Sequence, residues 1–265
     1  MSLQHHIQLQ KGDVPRYVLM PGDPERVPVI GKFWDSYQEL QCNREFRSAK
    51  GVCGQVELAA CSTGIGGPST DIAVVELAKI GADTFIRVGT CGALQEEIRP
   101  GDLIIHTGGI RLTGTVDAYV GREYPAVASY EVVMALIEAA EELRYPYHLG
   151  FTASVDSFYA GEAYPLPDGF ETPARQSIVR DLERVRAVSF EMEAATMFAL
   201  STLFGHRAGS ICTAGINRIT DEPDTNPDSI DKACQTASRA VEILHRWDLA
   251  KKRKGKAHYY PGLEL

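Results

Sequence analysis

Two arginines stand where strand-like segments run into small-residue loops. Arg26 follows Pro21-Gly22-Asp23-Pro24-Glu25, and Arg87 interrupts the apolar run Phe85-Ile86-Arg87-Val88 just ahead of Gly89-Thr90-Cys91-Gly92. A guanidinium is costly to bury in an apolar strand unless it is paired. Arg87 therefore either closes a buried ion pair or presents its planar fork of donors to an oxyanion. Thr90 would add a hydroxyl. The loop Gly64-Ile65-Gly66-Gly67 lets backbone approach a ligand, and the helix after it offers free N–H groups to an anion. It lacks the third glycine of a dinucleotide fingerprint, and no Walker lysine follows. Further on, Glu191 and Glu193 flank Met192 at the head of an apolar helix. Carboxylates there either complement the helix dipole or accept hydrogen bonds from two adjacent sugar hydroxyls. No Ser, Cys or His is set in a triad. The chemistry these residues suit is an oxyanion held beside a sugar.

The elements that must carry them alternate. Tyr17–Met20, Val56–Cys61 and Thr84–Val88 read as strands, each followed by a glycine loop; helices follow the first two. Asp23 suits a helix N-cap and Pro24 a first helical position. Strands are expected at 103–106, 148–154, 185–190 and 209–216, and helices at 130–143, 192–203 and 229–250. Segment 156–173 reads as irregular. Such alternation implies an α/β sheet with helices on both faces, and ligands bind outside the carboxyl ends of strands in such sheets. There is no linker or repeat, so residues 1–265 are expected to be one domain. The run Lys251-Lys252-Arg253-Lys254-Gly255-Lys256 opens what reads as a solvated basic tail, about 251–265.

The 265 residues, 44% of them hydrophobic, suffice for a sizeable core. A net charge of −8 argues against bulk electrostatic binding of nucleic acid, yet leaves room for a few converging arginines. No run approaches a membrane span. The six cysteines lack any CxxC pair and read as free thiols of a reducing cytoplasm.

Taken in order, Pro21-Gly22-Asp23-Pro24-Glu25-Arg26, Asn43-Arg44-Glu45-Phe46, Ser62-Thr63-Gly64-Ile65-Gly66-Gly67-Pro68-Ser69, Arg87-Val88-Gly89-Thr90-Cys91-Gly92 and Glu191-Met192-Glu193 closely resemble the motifs of the hexameric nucleoside phosphorylase family, and within it the uridine phosphorylase group. The resemblance spans about His6 to Trp247. It implies a three-layer α/β/α sandwich with a central mixed sheet, and a pentosyltransferase that splits a nucleoside with inorganic phosphate into free base and ribose 1-phosphate. No cofactor is implied beyond phosphate as co-substrate. The resemblance places phosphate at Gly22, Arg26, Arg87 and Thr90, with Arg44 donated by a neighbouring subunit. It places ribose at Thr90, Met192 and Glu193, with His6 reaching the 5′-hydroxyl across the same interface. Catalysis is implied at Arg26, Arg87 and Glu193. The base would meet Gly92, Phe158, Glu162, Tyr164, Ile216 and Arg218. Glu45, Ile65 and Ser69 match positions that hold a monovalent cation (K+) in some members. The partners implied are nucleoside, phosphate and further copies of the chain, arranged as a trimer of dimers, with neither nucleic acid nor membrane.

The base end departs from the pattern. Uridine phosphorylases place Gln and Arg where this chain has Glu162 and Tyr164 in Phe158-Tyr159-Ala160-Gly161-Glu162-Ala163-Tyr164. A carboxylate accepts from N–H groups but donates nothing unless protonated. Purine-specific relatives carry an Asp where this chain reads Asn217-Arg218, and Arg218 would face the leaving base in place of the missing arginine. The sequence as a whole points to uridine. A purine nucleoside (guanosine or inosine) is the alternative, followed by a hydrolytic nucleosidase and a non-catalytic nucleoside-binding protein.

Overall fold

A computed structural model describes residues 3–263. In chain order the elements are β1 (Tyr17–Pro21), α1 (Arg26–Gly31), β2 (Ser36–Asn43), β3 (Phe46–Cys53), β4 (Val56–Cys61), α2 (Gly67–Ile80), β5 (Thr84–Ala93), β6 (Leu103–Leu112), β7 (Ala126–Val127), α3 (Tyr130–Leu143), β8 (Tyr147–Val155), α4 (Phe158–Gly161), α5 (Pro173–Arg184), β9 (Ser189–Glu191), α6 (Ala194–Leu203), β10 (Arg207–Asn217) and α7 (Ser229–Lys254). The hairpin β2–β3 has no counterpart among the strands expected from sequence. Its outer strand is polar and mostly exposed, so it carries no apolar alternation to read.

The strands form one mixed sheet in the order β10-β6-β8-β9-β5-β1-β4-β3-β2, with β7 on β6. Adjacent residues of β1 supply opposite faces, as the two-residue period of a strand requires. Tyr17 and Leu19 join a core with Val27 and Ile30 of α1, Val132 and Leu136 of α3, and Leu244 and Trp247 of α7. Val18 and Met20 join a second core with Val74 and Leu77 of α2 and Met197 and Phe198 of α6. Helices thus cover both faces, as the alternation implied.

The path also closes on itself, because β10 pairs β5 in parallel while β9 pairs β5 antiparallel. β5 is the hub. Its residues Thr84 to Val88 pair with β1, and Gly92 and Ala93 pair with β9. On that edge, Gly89-Thr90-Cys91 lie between the two partners. A crevice opens where strand connections diverge, the position at which α/β sheets bind ligands.

Several expected boundaries move: α1 starts at Arg26 and not at Pro24, β5 runs on to Ala93 and β6 to Leu112. β9 starts at Ser189, since Arg186 takes a left-handed φ of 62° that no strand continues through. α6 starts at Ala194, so Met192 and Glu193 precede the helix instead of lying in it.

The basic tail is a correction. α7 runs on to Lys254, and Lys251 Nζ pairs with Glu131 at 2.6 Å and Asp248 at 3.0 Å. Tyr259 stacks on Trp247 at 3.8 Å between centroids, its N–H donates to Glu131 Oε1 at 3.0 Å, and Leu263 is fully buried. Residues after the helix therefore cap the core between α3 and α7. Tyr259→Ala is expected to cost about 3 kcal/mol of stability, the loss typical of a buried aromatic. A denaturant midpoint unchanged from the parent chain would refute this packing. Among the described residues no helix is long and apolar enough to cross a membrane.

Candidate active site

The loop after β1 is turned by Asp23. Its Oδ1 accepts the Glu25 N–H at 2.9 Å and its carbonyl accepts the Arg26 N–H at 3.1 Å, which starts α1 at Arg26. The Arg26 guanidinium then reaches over β5 and donates from Nη1 to the Val88 carbonyl at 3.3 Å. Arg87 lies one residue upstream on β5, on the same face as Phe85 and hence toward α2 and α6. Gly89 makes room for it. A Cβ at that position would lie 2.9 Å from both the Arg87 guanidinium and Cys212 Sγ.

Arg87 is 5% exposed and meets both acids at once. Its Nε lies 2.9 Å from Glu191 Oε2 and its Nη2 lies 2.6 Å from Glu193 Oε2. Nη1 makes neither pair and lies toward Gly22, where a Cβ would come within 3.9 Å of it. The two carboxylates have different duties. Glu191 Oε2 accepts the N–H groups of Glu193 and Ala194, both at 2.7 Å, and its other oxygen accepts from Ser154 Oγ. It complements the first turn of α6. Glu193 Oε1 instead accepts the Gly66 N–H across the cavity at 2.6 Å. Gly66 holds a φ of 90°, a conformation that favours glycine, so this donor is aimed by a residue without a side chain.

The electrostatics single out one place. Burial opposes charge on Arg87, but Glu193 and Glu191 hold its guanidinium above the ordinary value. Arg26 is pulled below its ordinary value, first by burial and then by the positive charge of Arg87. Among the described residues both carboxylates are spent on Arg87 and Arg26 has no ion-pair partner, so Arg26 is the cation left to meet an anion at this place. Burial also raises Glu193, against the pull of Arg87. An anion beside Arg26 and Arg87 would relieve the repulsion, as an arginine fork is suited to do.

The far end of the cavity is built by the segment after β8. Phe158 and Tyr164 stack at 4.5 Å between centroids, and the Arg218 guanidinium lies 3.9 Å over the Tyr164 ring. Arg218 Nη1 also donates to the Glu162 carbonyl at 2.8 Å. Arg175 of α5 pins the segment by donating to the carbonyls of Tyr159, Ala160, Tyr164 and Phe170. Glu162 is 4% exposed, and among the described residues its carboxyl makes no hydrogen bond or ion pair. Burial pushes it up to about 7, with Arg218 opposing and Glu191 and Glu193 adding to the rise.

These groups line one cavity of about 820 Å³. It gathers Gly22, Arg26, Arg87, Thr90, Met192 and Glu193 with Gly92, Phe158, Glu162, Tyr164 and Ile216, and with Glu45, Ile65 and Ser69 at its mouth. Three residues named from sequence lie outside the lining. Arg218 is engaged with the Tyr164 ring and the Glu162 carbonyl. His6 is held by the residue before Arg44 and by α2: Asn43 Nδ2 donates to the His6 carbonyl at 2.6 Å, and Glu76 accepts from His6 Nδ1 at 2.7 Å. Arg44 holds a φ of 54° in the turn between β2 and β3. Asp23, Pro24, Gly64, Cys91, Phe190, Glu191 and Gly215 join the lining without having been given a contact from sequence. Of these, Glu191 stood out as the other half of the acid pair, and Asp23, Pro24, Gly64 and Cys91 lie in the loops that follow β1, β4 and the Arg87 segment.

Cys91 is a wall residue whose thiol is raised well above its ordinary value by burial, which keeps it protonated and poorly nucleophilic. Ligand atoms of Cys91, His106 and Cys212 lie within 4.8 Å of one another. Both ring nitrogens of His106 are already engaged, by Ser210 and Ser189 at 2.8 and 2.9 Å.

Comparison with known proteins places this arrangement. Residues 16–246 match the family model described as the phosphorylase superfamily. The uridine phosphorylase of Thermococcus kodakarensis is 50% identical over 99% of this chain and 94% of its own length. The guanosine phosphorylase of Halorubrum lacusprofundi is 37% identical over 92% of this chain and 97% of its own. The crystal structure of the uridine phosphorylase from Vibrio fischeri superposes with a TM-score of 0.79 at 31% identity, covering 93% of this chain and 98% of that one.

Proposed function

The chain belongs to the phosphorylase superfamily, as a nucleoside phosphorylase of the uridine phosphorylase type, and on that premise we propose that it cleaves uridine with inorganic phosphate to uracil and ribose 1-phosphate. The observation that carries the reading is Arg26, without an ion-pair partner among the described residues, converging on Arg87 beside a carboxylate that reaches Gly66. Phosphate sits at Arg26, Arg87, Thr90 and the Gly22 loop. Glu193 accepts from the ribose hydroxyls, with Met192 against the sugar. The bond from C1′ to the base nitrogen breaks with its electron pair leaving on the base, and a phosphate oxygen bonds to C1′. Holding phosphate against C1′ removes an entropic barrier. The anion also stabilises the positive charge that develops on the sugar, a preorganised electrostatic effect. Phe158 and Tyr164 give the base an aromatic wall, with Gly92 and Ile216 around it.

His6 and Arg44 are absent from the lining of their own chain's cavity, and Asn43, beside Arg44 in sequence, donates to the His6 carbonyl, which supports their delivery together to a neighbour's site. We assign a homo-oligomer with shared sites, a trimer of dimers, in the cytoplasm; the six free thiols support a reducing compartment. Glu45, Ile65 and Ser69 offer a carboxylate, a carbonyl and a hydroxyl. Ser69 Oγ donates to the Ile65 carbonyl at 3.1 Å, so these hard donors are already adjacent. They fit a monovalent cation held between subunits.

A nucleoside panel assayed with and without phosphate tests the reading. Uracil release from uridine is expected only with phosphate, with ribose 1-phosphate as the second product. Release in phosphate-free buffer would make the chain a hydrolase and overturn it.

A further inference from the structure

Glu162 is a buried acid at the base end whose carboxyl has no hydrogen-bond or ion-pair partner among the described residues. Its backbone is held by the Arg218 bond to its carbonyl, a tie that does not use the carboxyl itself. The groups facing it come from several elements. Arg218 lies beyond β10, Glu191 on β9 and Glu193 ahead of α6, with Tyr164 on its own segment and Asp221 behind that ring. Arg87 on β5 lies beyond the two acids and is occupied by them. None of these hydrogen-bonds the Glu162 carboxyl, and Glu162 lines the cavity.

We propose that Glu162 reads the edge of the base and that its proton decides which base is accepted, uracil when the carboxyl is neutral and a 6-oxopurine carrying an amino group, as in guanosine, when it is ionised. This rests on the nucleoside reading of the cavity above.

The argument is one of donor counting. A neutral carboxyl offers one acceptor and one donor side by side. The uracil edge offers the complement, an N–H next to a carbonyl. In that state the acid imitates the carboxamide that the resemblance led one to expect. An ionised carboxylate offers two acceptors. It can take the uracil N–H but sets its second oxygen against a carbonyl. The same carboxylate matches the parallel N–H groups at N1 and N2 of guanine. The cavity, about 820 Å³, lies within the range of small-molecule sites and is wide enough for the larger base. Burial and the neighbouring acids bring the titration of Glu162 to about 7, so both states are accessible near neutrality. A mismatched buried polar group weakens binding by about tenfold or more.

The test uses the full chain and calorimetric titration with uridine and with guanosine in phosphate-free buffer, at about pH 5.5 and about pH 8, on either side of the titration. The ratio of the uridine Kd to the guanosine Kd is expected to rise at least about tenfold with pH. Glu162→Gln keeps one donor and one acceptor at every pH, so its ratio is expected to stay flat and to favour uridine. A parent ratio that moves less than about twofold, or a Glu162→Gln ratio that follows the parent, would overturn the proposal. No turnover enters this measurement. If selectivity shifts as expected while phosphate-dependent release is absent, the phosphorolysis reading fails and the role of Glu162 stands.

Discussion

Replacing Arg87 by alanine is expected to reduce phosphate-dependent turnover by about a thousandfold, at the upper end for loss of one preorganised donor. Phosphate binding should fall with it, because Arg26 then stands alone and Nη1 of Arg87 is gone. The variant should also be less stable by about 3–5 kcal/mol, since Glu191 and Glu193 lose their buried counter-ion. This loss has a pH signature. Burial already raises Glu193 above its ordinary value, and removing the guanidinium raises it further. A carboxyl raised in the folded state binds more protons there than in the unfolded chain, so stability falls as pH rises above the unfolded pKa. The denaturant midpoint of Arg87→Ala should accordingly be closer to that of the parent chain at about pH 5 than at about pH 7.5. Phosphate affinity near that of the parent would remove Arg87 from the anion site, whatever happened to stability.

Glu193→Gln should separate sugar from phosphate. The amide oxygen still accepts the Gly66 N–H, but the charge facing Arg87 disappears and the grip on the sugar hydroxyls weakens. We expect kcat/KM for the nucleoside to fall about a hundredfold. Phosphate affinity should hold or improve, because Arg87 is relieved of one competing anion. Calorimetry with phosphate alone, set beside steady-state kinetics, measures the two effects independently. If both affinities fell together, Glu193 would be a structural prop of the anion site and not a sugar ligand.

Local sequence carried the anion half of this site well. A charged residue in Phe85-Ile86-Arg87-Val88 is anomalous whatever the fold. Arg87 is buried against two acids, as the ion-pair reading has it, and turns one nitrogen toward Gly22, where the oxyanion reading would use it. Local sequence could not divide the labour between Glu191 and Glu193. Both precede the helix, and only the non-local pairing of β9 with β5 and β8 turns one into a cap and the other toward Gly66. The Gln-to-Glu exchange at position 162 was visible, but its burial was not. That depends on Arg218, 56 residues later. The tail read as solvated for the same reason, because the partner of Lys251 is Glu131, 120 residues away.

The segment after β8 has one further consequence. Its backbone is tied down by Arg175 and Arg218 through carbonyl oxygens, which every residue type provides equally. Side chains there can be exchanged without loosening the tie. The anion and sugar groups hang from a closed ring of strands, where almost any exchange is felt. One part of the molecule is thus free to drift over generations while the other is held still. New clientele can be acquired in small, reversible steps, each of them leaving a working catalyst behind.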